Sequence, residues 1–103
     1  MIKNVIVNDQ YTEVVSASGG GGLANLGIYF CNTSDSSEII DVFVNGSGNT
    51  PSDLTKVVTQ LTIPSKETFM FGGEKFLLSP GESIGATSVV GGRVAATVTY
   101  TDL

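Results

Sequence analysis

The chain has 103 residues, which suits one domain (residues 1–103) with a modest core. Apolar residues make up 41% and charged residues 15%, and the net charge is −5 from ten acidic and five basic side chains. The basic residues are scattered singly, which argues against nucleic-acid binding and against docking on anionic lipid. No apolar run approaches the roughly 20 residues that span a bilayer, and the N-terminus is typical of a strand, not of a signal peptide.

Apolar and polar residues alternate in the first half of the chain between clusters of turn-forming residues, as in short antiparallel strands. The strands predicted there span residues 3–8, 11–16, 23–31 and 38–44. The third directs Leu26, Ile28 and Phe30 to one face. Residues 16–22, with a glycine run at 19–22, precede it, and we expect a mobile loop there because glycine loses much backbone entropy on ordering.

The fourth predicted strand has apolar side chains on both faces. Ile40 and Val42 share one face, and Ile39 and Phe43 share the other. Two alternatives are open for Ile39 and for Phe43: each is covered within the sandwich, or each contacts another protein.

The strands predicted in the second half span residues 56–63, 68–71, 74–78, 83–88 and 93–101. The first directs Val57 inward and ends at Pro64, which cannot donate to a continuing ladder. Residues 79–82 predict a type II turn, with Pro and Gly in its central places. Gly91 and Gly92 predict a two-residue hairpin.

These eight or nine short strands, with no convincing helical period, predict an all-β fold. Residues 51–58 offer one helical turn at most and are interpreted as a loop. The expected architecture is an antiparallel, jelly-roll-like β-sandwich.

Residues that commonly carry catalysis are scarce. The chain has no His, the commonest general base and transition-metal ligand. Cys31 is single, which excludes an intrachain disulfide and favours a buried, inert thiol. The glycine run lacks the Gly-Lys-Ser/Thr ending of a phosphate-binding loop. The sequence therefore predicts no enzyme activity, catalytic residue, cofactor or metal site.

The C-terminal third has a distinctive order of motifs. Residues 76–84 read Phe-Leu-Leu-Ser-Pro-Gly-Glu-Ser-Ile, Gly-Ala-Thr-Ser follows, and residues 94–100 read Val-Ala-Ala-Thr-Val-Thr-Tyr. Upstream, residues 27–33 read Gly-Ile-Tyr-Phe-Cys-Asn-Thr before a polar turn. In these motifs the chain resembles small virion proteins of tailed bacteriophages from residue 23 onward.

The resemblance implies a β-sandwich present in many copies in a virion. It implies a capsid decoration (cement) protein that binds the major capsid protein lattice and stabilises the head, or alternatively a tail, neck or fibre component. The expected partners are the major capsid protein or other virion proteins, together with further copies of the chain, for which a trimer is one option. The expected location is the virion, after assembly in the host cytoplasm.

An assembly subunit uses strand faces and edges as interfaces. The residues predicted to contact neighbours are Ile2 and Val5 in the N-terminal segment, outward Ile39 and Phe43, and Tyr11. A carbohydrate-binding or adhesion module is the alternative. Such modules display exposed aromatic rings. Here Trp is absent, and Tyr29 and Tyr100 lie in predicted strands where inward or interface roles are expected, so only Tyr11 is expected to be available.

Overall fold

The computed structural model describes residues 1–17, 20–71 and 77–103. Within these ranges the chain forms strands and no helix. The described residues therefore include no helix that is long and apolar enough to cross a membrane. The strands are β1 (Ile2–Val7), β2 (Thr12–Ser16), β3 (Leu23–Asn32), β4 (Glu38–Asn45), β5 (Lys56–Ile63), β6 (Thr68–Phe71), β7 (Leu77–Leu78), β8 (Ser83–Ser88) and β9 (Val94–Asp102).

The nine strands form two antiparallel sheets that pack against each other. Sheet A has the order β1-β9-β3-β6, with β7 also paired to β3, and sheet B has the order β2-β8-β4-β5. The first and last strands are neighbours in sheet A, and the strands that follow and precede them are neighbours in sheet B. This winding is that of a jelly roll. The predicted all-β sandwich of eight to nine strands is confirmed.

The core lies between the sheets and is built from alternate residues of each strand. β9 has the most regular alternation, and its Val94, Ala96 and Val98 are fully buried. Ile84 and Ala86 of β8, which are also fully buried, face them from sheet B. Burial of such aliphatic side chains is the main stabilising term for a domain without a disulfide.

A β-bulge in β3 changes which residues face the core. The register with β9 shifts between Asn25 and Gly27, so Ile28 and Phe30 point inward as predicted while Leu26 points outward. The prediction for Leu26 is therefore wrong, because a bulge inserts one extra residue and reverses the alternation on one side of it. Asn25 takes the buried place instead.

A second irregularity reverses the alternation in β5. Its pairing with β4 skips residues 59 and 60, and Gln60 has a left-handed φ of 51°. The Gln60 backbone N–H donates to Asp41 Oδ1 at 2.6 Å, which replaces the lost ladder bond. Val58 consequently lies on the core side and Val57 is exposed, so the predicted inward direction of Val57 is wrong.

Two glycine turns behave differently from each other. The turn at 79–82 is type II as predicted, with Gly81 at a φ of 91° and the Glu82 N–H donating to the Ser79 carbonyl at 3.0 Å. The hairpin predicted at Gly91 and Gly92 is wrong, because β8 and β9 belong to different sheets. The turn instead carries the chain across the sandwich, where the Gly92 N–H donates to the Val7 carbonyl at 3.0 Å.

Side chains fix the polar turn at residues 33–37. Buried Asn32 donates through Nδ2 to the Ser36 carbonyl at 2.8 Å and to the Ile63 carbonyl at 2.9 Å. Glu38 Oε2, also buried, accepts from Arg93 at 3.3 Å and from Ser36 Oγ at 3.1 Å. Of the predicted strand at 74–78, only β7 falls in the described residues. The mobile loop expected at 16–22 falls partly outside them, and at its start Ser16 belongs to β2 and Ala17 is buried.

Candidate interaction surfaces

The outer face of sheet A carries no charged side chain at any described outward position. We call this surface the neutral face. Its outward residues are Ile2, Asn4 and Ile6 of β1, Ala95, Thr97, Thr99 and Thr101 of β9, Ala24, Leu26, Tyr29 and Cys31 of β3, Thr68 and Met70 of β6, and Leu77 of β7. The net charge of the protein is −5, so the lack of charge on this sheet face distinguishes it from the rest of the protein surface.

Cross-strand pairing sets these side chains in rows. Asn4 pairs with Thr97, Thr97 with Tyr29, and Tyr29 with Met70, so one row crosses all four strands. Thr97 Oγ1 donates to Asn4 Oδ1 at 2.9 Å, which satisfies part of the polar content of the face internally. A row in which the polar pair is hydrogen-bonded internally and the other two side chains are the large Tyr29 and Met70 can be covered by another protein at low desolvation cost.

The neutral face exposes several large apolar side chains. The exposed fractions are 69% for Ile2, 51% for Ile6, 43% for Tyr29, 60% for Met70 and 74% for Leu77. With strands about 4.8 Å apart and a rise of about 3.3 Å per residue, four strands by six residues give a flat area of about 400 Å². The apolar part of this area is smaller, because Asn4 and four threonines also lie on the face, but large apolar side chains grouped on one surface often mark a functional contact.

The strand edges, by contrast, are poorly suited to pairing with another chain. β1 places Lys3 on its inner side, an inward charge of the kind that blocks edge pairing. β6 has only four residues. β2 has a bulge between Glu13 and Val15, and β5 has the irregularity at Gln60. Contacts with neighbours are therefore expected through the sheet faces.

The outer face of sheet B holds a small aromatic cluster. The Tyr11 ring lies directly on Gly85, and its edge meets Phe43 with centroids 5.6 Å apart and planes at 79°. Asn45 Nδ2 donates to the Tyr11 hydroxyl at 2.8 Å. Burial raises the pKa of the Tyr11 phenol above its ordinary value, although hydrogen bonds with Ser83 and Asn45 oppose the shift. The ring is fixed within the domain.

Charges surround this cluster. Lys56 Nζ lies 3.0 Å from Asp53 Oδ1, 3.4 Å from Asp41 Oδ2 and 5.8 Å from the Phe43 ring centroid. The hydrogen bond with Asp53 is the main cause of a raised Lys56 pKa. A groove of about 320 Å³ runs beside Asp41, and its other lining residues are Asp9, Ile39, Gln60, Thr87, Ser88 and Val89. Sheet B therefore presents an acidic, partly polar surface.

The predicted contact residues fall on both sheets. Ile2 lies on the neutral face, and Val5 is half-buried on the inner side of β1. Ile39 is exposed at the groove of sheet B. Phe43 is only 6% exposed, so of the two alternatives open for it the structure shows cover within the domain. Tyr11 is half-buried and hydrogen-bonded, which corrects the expectation that its ring is available.

The central residues of the neutral face were not singled out from the sequence. Tyr29 alternates with buried Ile28 and Phe30, and its outward direction depends on the register after the bulge. Met70 lies in a strand too short to show alternation. One signal was present: the segment 94–101 alternates core residues with Ala and Thr only, and contains no charge.

In three comparisons with known proteins, no family model, curated protein or solved structure matched the chain. Among the described residues, no group of three or more His, Cys, Asp or Glu side chains is placed to hold a metal ion. What the chain does is therefore inferred from its surfaces and its sequence motifs.

Proposed function

We propose that the chain is a structural protein of a tailed-phage virion, and specifically a capsid decoration protein that binds the major capsid protein lattice and stabilises the head. The observation that carries the proposal is the neutral face. A charge-free sheet with Tyr29 near its centre has the composition of an interface core, which is depleted in charge and enriched in aromatic residues.

Two further points support this function. The sequence motifs at 76–88 and 94–100 resemble those of small phage virion proteins. Jelly rolls serve as viral capsid domains, although they also serve as lectin domains, so this support is an analogy of fold. The protected strand edges suit a subunit that must stay soluble before it meets its lattice.

The test is the protein content and stability of purified particles. Mass spectrometry should find the chain in many copies per particle, and particles made without it should release DNA at a lower temperature. Adding the purified chain should restore stability. Met70→Lys, on the neutral face, should fail to restore it, whereas Val57→Lys, on sheet B, should succeed. Absence of the chain from particles contradicts the proposal. Particles that lack tails when the chain is missing would favour the tail or neck alternative.

A carbohydrate-binding or adhesion module is the second candidate, and one observation favours it. The sheet B groove places Asp9, Gln60 and Thr87 around an opening of about 320 Å³, within the size range of small-ligand clefts. Glycan binding that Asp9→Asn abolishes and Asp35→Asn leaves unchanged would support this candidate. A glycan array without any bound ligand would remove it.

A further inference from the structure

We propose that the neutral face is where two copies of this chain meet, face to face, about a two-fold axis. The inference rests on the proposed function in one respect, since both treat the neutral face as a protein contact. It assigns a second copy as the partner of the free chain, which the capsid lattice displaces when the chain binds the head, and it gives the geometry of the contact between the copies.

Charge favours a second copy as the partner. Each chain has a net charge of −5, so two copies repel each other in most orientations. On sheet B, Asp9 and Asp41 would be brought together or desolvated by self-association. On the neutral face no described side chain carries a charge, so neither cost arises. A partner with a charged surface would lose hydration there without gaining a counter-ion, whereas a second copy brings an equally neutral surface.

Shape favours one particular axis. β9 forms a stripe of small outward residues, among them Ala95 and Thr97, between the larger side chains of β1 and β3. An axis along the strands, between β3 and β9, lays Tyr29 of each copy over the small stripe of the other. The same operation sets Met70 over Asn4 and Thr68 over Ile6 of the other copy, so that Ile6 lies one row from the facing Met70. An axis across the strands would place small residues over small residues and leave a gap.

This arrangement is isologous, because each copy contributes the same Tyr29 side chain and the same stripe of small β9 residues. Two sheets that pack with aligned strands cross at about −30° and lie about 10 Å apart, which leaves room for one layer of interdigitated side chains. Large-over-small contacts of this kind are what sandwich interiors use.

The size of the face sets the expected affinity. About 400 Å² of flat area per copy gives about 800 Å² for the pair, and the corrugation of the side chains raises the accessible area above this value. The sum stays near or below the about 1,200 Å² lower limit of stable interfaces. We therefore expect a reversible dimer with a dissociation constant at about the micromolar level.

The experiment is sedimentation velocity on the full chain across about a hundredfold concentration range around the micromolar level. The test variant is Ile6→Lys, and the matched control is Val57→Lys. Both residues are β-branched and lie on edge strands, and they are 51% and 47% exposed. Both variants change the net charge equally. Wild type and Val57→Lys should dimerise alike, and Ile6→Lys should be at least about tenfold weaker.

Cys31 gives a second measurement that needs no substitution. It is half-exposed on the neutral face, in the row that pairs Ile6 with Ala95 and Ala95 with Cys31. Its rate of reaction with a soluble thiol reagent should fall as the protein concentration rises through the dimer range. In Ile6→Lys the rate should be independent of concentration. A wild-type chain that is monomeric throughout, or equal weakening by both lysine variants, would overturn the inference.

The outcomes separate this inference from the proposed function. A monomeric chain that is nevertheless abundant in particles contradicts the two-fold contact and leaves the virion function standing. A chain that dimerises through the neutral face but is absent from particles does the reverse.

Discussion

Gly85→Ala should destabilise the domain by dislodging Tyr11. A Cβ at Gly85 would overlap the Tyr11 ring, so the ring must leave its place against Phe43 and its hydrogen bond from Asn45. The aromatic pair contributes about 1 kcal/mol, the hydrogen bond about 1 kcal/mol, and the re-exposed apolar surface about 1 kcal/mol. The lower conformational entropy of the unfolded variant offsets about 0.7 kcal/mol.

The net loss is therefore about 2 kcal/mol, which corresponds to a fall in Tm of about 10 °C for a domain of this size. Urea denaturation of wild type, Gly85→Ala, Tyr11→Ala and the double variant gives the cycle that isolates the contact. Gly20→Ala is the control, because a Cβ there meets nothing within 4 Å. In the Tyr11→Ala background the effect of Gly85→Ala should vanish or reverse sign. The reasoning is refuted if Gly85→Ala is as harmless as Gly20→Ala, or if the two single losses simply add.

Three further predictions concern other parts of the domain. Burial raises the pKa of Glu38, but hydrogen bonds led by that from Arg93 outweigh burial and hold the pKa below its ordinary 4.5. The stabilisation from this carboxylate should therefore be complete above about pH 4.5 and should be lost as the pH falls through the folded-state pKa. Urea titrations of Glu38→Gln should show a weaker dependence of stability on acid pH. The Asn25 amide is buried, and neither of its polar atoms has a hydrogen-bond partner in the described chain. Asn25→Leu should therefore stabilise the domain by about 1–2 kcal/mol in urea denaturation. A loss of stability would mean that the amide has a partner, such as a buried water. Removing the inward charge of β1 in Lys3→Val should open that edge to pairing, seen as concentration-dependent light scattering beyond a dimer, and unchanged scattering would contradict this role.

The strand pattern was predictable because each strand has one buried face. In β9 the period of two in Val94, Ala96 and Val98 is uninterrupted, and turn residues such as Pro64 and Gly81 mark strand ends by their backbone chemistry. Local pattern and tertiary structure agree in these places, so the fold class followed from the sequence.

The errors arose where tertiary pairing overrides the local pattern. The predicted directions of Leu26 and Val57 are wrong because irregularities in β3 and β5 shift the alternation. No residue near Gln60 is of a type that predicts its left-handed backbone. The Gly91 and Gly92 turn reads as a hairpin locally, although its flanking strands pair with other partners. Strand pairing depends on contacts far apart in sequence, which alternation does not encode.

The candidate surfaces were predictable only in part. Ile2 was placed among the contact residues because the N-terminal segment is apolar, and it does lie on the neutral face. For Tyr29 the sequence left an inward and an interface role open, and it gave no role to Met70, because their shared row exists only after β3, β6 and β9 come together. The alternation in β4 predicts that Phe43 points outward. Tyr11 covers Phe43, and this contact depends on the close approach of the Tyr11 ring to Gly85.

The most direct measurement of the central claim is a cryo-EM reconstruction of intact particles. The claim predicts density for this jelly roll in repeated copies on the particle, with the neutral face of β1, β9, β3 and β6 buried against protein. Particles that lack the chain would contradict the virion function. Particles that hold the chain with Tyr29 and Met70 open to solvent would contradict the role assigned to the neutral face.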